Sequence, residues 1–358
     1  MFIENSVKIN FDSKRITALW AFSEAALGGI LHALKIPFKG IFIGCFAVIF
    51  ITLIAASSNN KREILRSTII VILVKAVISP HSTLTAFFAV LLQGILGYFF
   101  FSFFRSQRIA SIFLGFFAML FSAIQKLILL TLLFGNTLWE SIDLFAEYIL
   151  SQLGLDFQHK TISASYFLII LYISIHVSAG ILAGLFAVDL PAIIENERYN
   201  FKNTFIPNQK NLSMFDVNKS KKRKKWFQKP TGMLFLLFLF VVSIISYFTE
   251  SFDNNFFYDI IFMLVRLITI LILWIYFISP FLMKSFSKVI DEKKFKYASE
   301  INKITVLFPD FKTIIKFCWN ESANKNGIER IKKFLMTSLI LLLTVEIDTK
   351  TTVEIEQD

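Results

Sequence analysis

The sequence predicts an all-α, polytopic membrane protein. Hydrophobic residues make up 55% of the 358 residues, and 43 of these are phenylalanine; the mean hydropathy is +0.64. Charged residues make up only 18%, whereas soluble domains usually contain about a quarter. Apolar runs of roughly 20 residues, enough for a helix to cross a ~30 Å hydrocarbon layer, recur between short polar connectors.

Apolar runs predict eight membrane spans. They lie at residues 16–34, 38–56, 64–79, 82–104, 109–134, 163–187, 232–249 and 257–279. The third is short and carries Lys75. The stretch MFIENSVKINFDSKR before the first run is too long and too polar for a cleavable signal peptide, so the first run is expected to remain a span.

Basic residues predict the orientation of the spans. They cluster before span one, between spans two and three, between spans four and five, and after span six: Lys8, Lys14, Arg15, Lys61, Arg62, Arg66, Arg105, Arg108 and KSKKRKK at 219–225. The alternate connectors are acidic. The positive-inside rule therefore predicts a multi-pass protein with both termini in the cytoplasm. We expect the membrane to be the bacterial cytoplasmic (inner) membrane. The run Lys219–Lys225 is expected to bind anionic lipid headgroups and not nucleic acid.

Composition divides the chain into four parts. Residues 1–194 form a six-span membrane domain, and residues 195–230 are a polar, basic cytoplasmic linker. Residues 231–280 hold two further spans, and residues 281–358 form a cytoplasmic tail of amphipathic helices. Between spans five and six, NTLWESIDLFAEYILSQLGLD has apolar residues at helical spacing with acids between them, which predicts an amphipathic helix. It is expected to be a lid or a helix on the outer surface, or alternatively a connector that packs on the bundle.

Polar residues inside the spans predict a pocket. An ionisable side chain costs roughly 2.5–3.5 kcal/mol in the bilayer, so it is expected to face a cavity or a partner. Such residues gather at or above the predicted midplane: Glu24, His32, Lys75, Gln125 and Lys126. The alternative is that Glu24 only neutralises Lys75 or Lys126 and binds nothing. His176 is expected to be a hydrogen-bonded core imidazole, and Arg266 is expected to pair with Asp259.

Small residues recur every fourth position in two spans. Span one has Ala21, Ala25 and Gly29, and span six has Ala179 and Ala183 beside Gly180 and Gly184. Such ridges let helix backbones approach closely, so they predict helix contacts within the membrane.

Catalytic and cofactor motifs are missing from the sequence. Cys45 and Cys318 are expected to be free buried thiols. Neither G-x-x-x-x-G-K-[ST], H-E-x-x-H nor G-x-S-x-G occurs, and the four histidines are scattered. We therefore expect no catalytic residue, metal site or cofactor, and any ATP-driven step would need a separate ATPase.

The first 194 residues resemble a known family. Six short-looped spans, the Ala21 and Ala25 ridge and the following loop HALKIPFKG resemble the substrate-binding S components of energy-coupling factor (ECF) vitamin transporters, over about residues 15–194. The resemblance implies a six-helix bundle that binds a vitamin or trace nutrient in its outer half, under the loop after span one. Glu24, His32, Lys75 and Lys126 become candidate solute contacts. Ala21, Ala25 and Gly29 become candidate contacts with a coupling subunit.

The tail has a second, weaker resemblance. FPDFKTIIKFCWNESANKNGIERIKKFL is similar to the coupling helices of the transmembrane T component, where an Ala-Arg-Gly signature docks on ABC-type ATPases. Ala323 and Gly327 lie near that signature, but Asn326 stands at the position of the arginine, and only two spans precede it.

The sequence thus predicts a non-enzymatic membrane subunit that binds a small nutrient outside for uptake, energised by a separate ATPase. A scaffolding protein whose cytoplasmic helices recruit a partner is the first alternative. A membrane enzyme is the second.

Overall fold

A computed structural model describes residues 12–29, 39–79, 82–153, 163–201 and 256–344. Within these ranges the chain is almost entirely helical and contains no strand, which confirms the all-α prediction. The helices are α1 (Ser13–Phe22), α2 (Lys39–Ser57), α3 (Arg62–Ile78), α4 (Leu84–Phe103), α5 (Gln107–Phe134), α6 (Thr137–Gln152), α7 (Ala164–Phe201), α8 (Phe256–Leu273), α9 (Ser279–Lys296), α10 (Ala298–Val306), α11 (Phe308–Glu321) and α12 (Gly327–Thr344). π-Helical segments at Ser23–Leu27 and Trp274–Ile278 follow α1 and α8.

Among the described residues, five helices are long and apolar enough to cross a membrane. They are Lys39–Ser57, Leu84–Phe103, Gln107–Phe134, Ala164–Glu195 and Met263–Lys296. These correspond to the predicted spans two, four, five, six and eight. Predicted span three is a shorter helix of 17 residues, α3. Predicted span seven at 232–249 and the basic run at 219–225 lie outside the described residues.

The described residues fall into two compact units. The first unit comprises those within 1–119, 179–215 and 290–358, and the second those within 120–178 and 216–289.

Helix α1 lies inside the first unit. Every residue from Ile16 to Ala21 is buried. Helix α1 contacts α2, α3, α10 and α12. The Arg15 guanidinium donates from Nε to the carbonyl of Leu342 at 2.7 Å. That carbonyl belongs to the last turn of α12, whose carbonyls lack intrahelical partners. A cation from α1 therefore satisfies a carbonyl at the end of α12.

The apolar run FLMTSLILLLTV at 334–345 is too short to span a membrane, so its length predicts a position in the interface or packing on other helices. Thr337 to Leu343 are buried in α12, and α12 contacts both α11 and α1. The run therefore packs against helices of the first unit.

Two glycines let helices α5 and α7 cross closely in the first unit. A Cβ on Gly115 would meet the carbonyl of Gly180, and a Cβ on Gly180 would meet the carbonyl of Gly115. Near Gly184 the Ser111 hydroxyl donates to the glycine carbonyl at 2.7 Å. The close contact predicted from the small residues of span six is thus confirmed, and its partner helix belongs to the same chain.

In the second unit, the amphipathic stretch after span five forms helix α6. Its apolar residues Leu144, Phe145, Tyr148 and Ile149 are exposed. The Asp143 carboxylate on α6 accepts from the backbone N–H of Ser165 at 2.7 Å and from its hydroxyl at 2.9 Å. These bonds attach the first turn of α7 to α6, so the connector predicted on the outer surface is a helix fixed at this point.

A buried arginine lies beside the turn between α5 and α6. Gly135 has φ of 68°, and a Cβ there would meet the guanidinium of Arg266. Arg266 is fully buried, at 0% exposure. The side chain of its predicted partner, Asp259, lies outside the described part of the chain, so that pairing stays a prediction.

Candidate functional site

The centre of the candidate site is a buried ion pair. The Nζ atom of Lys75 lies 2.7 Å from Oε2 of Glu24, and the two side chains are 8% and 2% exposed. Lys75 lies in the last turn of α3, where the helix dipole favours a positive charge. Glu24 lies in the π-helical segment after α1. The structure thus brings together two of the five residues predicted to bind solute.

The π-helical segment changes how α1 presents its residues. In this segment the backbone N–H of Gly28 bonds to the carbonyl of Ser23, five residues back. A π turn holds more residues than an α turn, and such turns occur frequently at functional sites. The sequence predicted continuous α-helix here, because an apolar run with small residues carries no sign of a π turn. The segment places Glu24 beside Lys75.

The π turn also interrupts the predicted ridge of small residues. The spacing of Ala21, Ala25 and Gly29 puts them on one face only if every turn is α-helical. In the structure Ala21 and Ala25 are buried, and Gly29 is exposed with open space beside its Cα. Of the three predicted contacts with a coupling subunit, only Gly29 is accessible in the described residues.

Two further buried polar atoms of the first unit have no hydrogen-bond partner among the described residues. They are the indole Nε1 of Trp20 and the amide Oε1 of Gln93. Trp20 precedes Glu24 by four residues, about one helical turn. Gln93 lies in the core of α4, against Gly44 of α2. A buried donor or acceptor without a partner costs about 1–3 kcal/mol, so each is a candidate contact for a bound polar molecule.

Neither Trp20 nor Gln93 is among the residues that the sequence predicts to bind solute. The signal for Trp20 is its position one turn before a buried acid. The signal for Gln93 is an uncharged amide inside an otherwise apolar span.

The other predicted solute contacts differ in burial. Gln125 and Lys126 belong to the second unit, and both side chains are exposed. His32 lies outside the described residues. The predicted convergence of charge therefore depends on Glu24 and Lys75.

His176 is a buried imidazole in the second unit, at 2% exposure. Its Nδ1 atom lies 2.9 Å from the carbonyl of Tyr172, one turn earlier on α7, and the two rings lie 4.2 Å apart. The prediction of a hydrogen-bonded core histidine is confirmed.

The C-terminal helices contact the same helix that leads to Glu24. Phe22, the last residue of α1, packs edge-on against Phe308 at 5.0 Å and Phe311 at 5.7 Å between ring centroids. The Arg66 guanidinium of α3 lies 2.6 Å from the carboxylate of Glu300 on α10. Helix α10 therefore contacts both α1 and α3, and α11 contacts α1 through these rings.

The predicted docking residues Ala323 and Gly327 lie in the connector at 323–329, which runs from the end of α11 into the first turn of α12. Both are exposed, as is every residue from 323 to 329. Gly327 adopts φ of 56°, a left-handed conformation that favours glycine. Ile328 beside it is 85% exposed, so this connector is an accessible surface with an apolar side chain.

Neither cysteine forms a disulfide. Cys318 is buried as predicted, and burial raises the pKa of its thiol. Cys45 is only partly buried, and its thiol donates to the carbonyl of Ala179 at 3.6 Å. Within the described ranges, no group of three or more His, Cys, Asp or Glu side chains could hold a metal ion.

No family model, curated protein or solved structure matches the chain.

Proposed function

We propose that this chain is the solute-binding membrane subunit of an uptake system, which takes a small polar or anionic nutrient from outside and is energised by a separate ATPase. The observation that carries the proposal is the Glu24–Lys75 pair at 2.7 Å, formed at a π turn. Ionisable residues in membrane segments are costly and mark solute or ion pathways by default.

The chemistry of the pair favours an anionic solute. A carboxylate or phosphate could replace Glu24 on the Lys75 ammonium, and protonation of the displaced Glu24 carboxylate would then keep the buried charge compensated. The unpartnered indole N–H of Trp20 offers a donor to the same solute, and the Gln93 carbonyl oxygen offers an acceptor. Binding would then satisfy groups that are costly to leave unpaired.

The contacts of α1 support coupling to an energy source. The aromatic contact of Phe22 with Phe308 and Phe311 lies directly before the segment that holds Glu24. A partner that moved α11 would therefore act on the position of Glu24. The exposed connector at 323–329 is the surface on which such a partner, an ABC-type ATPase or a coupling subunit, would bind.

Binding of a radiolabelled vitamin panel to the purified full chain tests the proposal. The expected result is binding of one compound, weakened at least tenfold by Lys75→Met and unchanged by Arg108→Gln, which removes an exposed cation from the start of α5. Lys126→Met tests the remaining predicted cation in the same assay. If no compound binds, or if Lys75→Met binds as tightly as the unaltered chain, the proposal is wrong.

A scaffolding function is favoured by one observation, the exposed apolar side chains of the C-terminal helices. Phe295 is 90% exposed and Ile328 is 85% exposed. Co-purification of the full chain and of Ile328→Glu separates the two functions. An ABC-type ATPase that is lost from the variant supports transport, whereas loss of an unrelated assembly supports scaffolding.

A further inference from the structure

A cleft lies between two connectors of the first unit. It is lined by Lys61, which precedes α3, by the end of α4, and by the start of α5: Phe101, Ser102, Phe103, Phe104, Arg105 and Gln107. Its volume is about 550 Å³, within the range of small-molecule sites. No carboxylate stands among these described lining residues, so the cleft carries the two positive charges of Lys61 and Arg105.

Two hydrogen bonds hold the Lys61 ammonium at the cleft, and they leave one of its N–H donors unused. Its ammonium donates to the carbonyls of Ala55 at 2.7 Å and Ser58 at 3.3 Å. These bonds satisfy carbonyls at the end of α2, which has no further turn to receive them. An ammonium has three N–H donors. One donor therefore remains for a ligand, and the side chain is already ordered before the ligand arrives.

Arg105 supplies the second cation. It is exposed, and its guanidinium makes no hydrogen bond or ion pair with any described residue. A guanidinium offers a planar set of five donors that matches the oxygens of a phosphate. Helix α5 begins at the cleft, at Gln107, so the partial positive charge of a 28-residue helix lies at the same place.

The cleft continues into an apolar surface on α4. Phe103 is 72% exposed and Phe99 is 55% exposed, and their rings stack 6.0 Å apart. Helix α4 is long and apolar enough to span the membrane, so these two rings lie on its lipid-facing side. A ligand that fits has an anionic head for the two cations and apolar chains that extend along Phe103 and Phe99.

We propose that this cleft binds the headgroup of an anionic phospholipid of the cytoplasmic leaflet, with the phosphate on Lys61 and Arg105 and the acyl chains along α4. The site differs from the predicted lipid contact at Lys219–Lys225, and the proposal does not depend on a transport function. A free inorganic phosphate shares the head chemistry but leaves the Phe99 and Phe103 surface unused. The continuity of charged and apolar surface favours the lipid.

Native mass spectrometry of the full chain in dodecyl maltoside micelles tests this. Micelles are doped with phosphatidylglycerol or with phosphatidylcholine, and the bound lipid is counted. We expect phosphatidylglycerol to bind selectively and Arg105→Gln to weaken it about fivefold, since one cation near a membrane surface contributes about 1 kcal/mol.

The chain offers a matched control. Arg108 is the second residue of α5, three residues after Arg105. It is also exposed, and it does not line the cleft. Arg108→Gln therefore removes the same charge from the same region and should leave lipid binding unchanged. Equal melting temperatures of both variants without added lipid establish that each is folded. Lys61→Arg should retain binding, since it keeps the charge.

Three results would overturn the assignment. The first is equal binding of phosphatidylcholine, and the second is an equal loss in Arg105→Gln and Arg108→Gln, which would indicate general surface charge. The third is displacement of phosphatidylglycerol by millimolar inorganic phosphate, which would indicate a free-phosphate site.

Discussion

Substituting one partner of the Glu24–Lys75 pair is expected to lower the free energy of unfolding far more than substituting both. At 2.7 Å and an effective dielectric constant of about 20, the direct attraction of two unit charges is about 6 kcal/mol. Desolvation of both groups offsets most of it, so the net contribution of the pair is small. A single substitution, in contrast, leaves a buried charge without its partner.

We therefore expect Glu24→Gln and Lys75→Met each to lower the free energy of unfolding by about 3–5 kcal/mol. The double variant replaces both charges with groups of similar volume and should recover most of that loss. The coupling energy between the two positions would then be at least about 3 kcal/mol.

Unfolding of the purified full chain by SDS in mixed micelles measures these energies. Lys126→Met is the matched control, because it removes an exposed lysine from the second unit and should change stability by less than about 0.5 kcal/mol. Additive losses, with the double variant as unstable as the sum of the two singles, would refute the reasoning. Solute binding by the double variant then separates the remaining alternatives, since a purely structural pair predicts normal binding after rescue.

Three further predictions concern packing and thiol chemistry. Gly115→Ala should destabilise the chain by about 1–3 kcal/mol, because the new Cβ would meet the backbone of another helix. Gly29→Ala is the control in the same unfolding titration and should be neutral, because a Cβ there would have nothing within 4 Å. Gly135→Ala should cost more than about 1 kcal/mol, because φ is 68° and the new methyl would displace the Arg266 guanidinium; a wild-type melting temperature would contradict this. Burial raises the pKa of the Cys318 thiol, so less thiolate is present at any pH below that pKa, and maleimide labelling at pH 7 should be slow in the folded chain and rapid after unfolding.

Long apolar runs predicted most of the helical framework, because the cost of an unsatisfied backbone in lipid leaves few alternatives to a helix. The sequence also predicted the helix between spans five and six, because apolar residues lie there at helical spacing with acids between them; this stretch forms α6. The structure around helix α1 was predicted less completely. The π turn at Ser23–Leu27 and the contacts of Phe22 with the C-terminal helices depend on residues far apart in sequence, and periodicity carries no information about them.

The sequence likewise predicted one part of the candidate site and missed another. The cost of charge in lipid singled out Glu24 and Lys75, and the structure pairs them. The same reasoning singled out Lys126 and Gln125, which are exposed, because depth along a span does not determine which side of the helix a residue occupies. Trp20 was not predicted, because tryptophan is common in apolar runs. Only the structure shows that its indole N–H is buried without a partner among the described residues.

Helix α1 connects the two parts of the proposed mechanism, which are solute binding at Glu24 and Lys75 and partner binding at α11 and α12. Its first turn holds the end of α12 through Arg15, its last residue packs on α11, and the π turn that follows holds Glu24 against Lys75. A solute that takes Lys75 from Glu24 changes the interactions of that turn. Since coupling between two sites is reciprocal, a partner that shifts α11 and α12 would change solute affinity by the same factor as solute changes affinity for the partner. A chain that binds solute with equal affinity in the presence and absence of its partner would have no such coupling through α1.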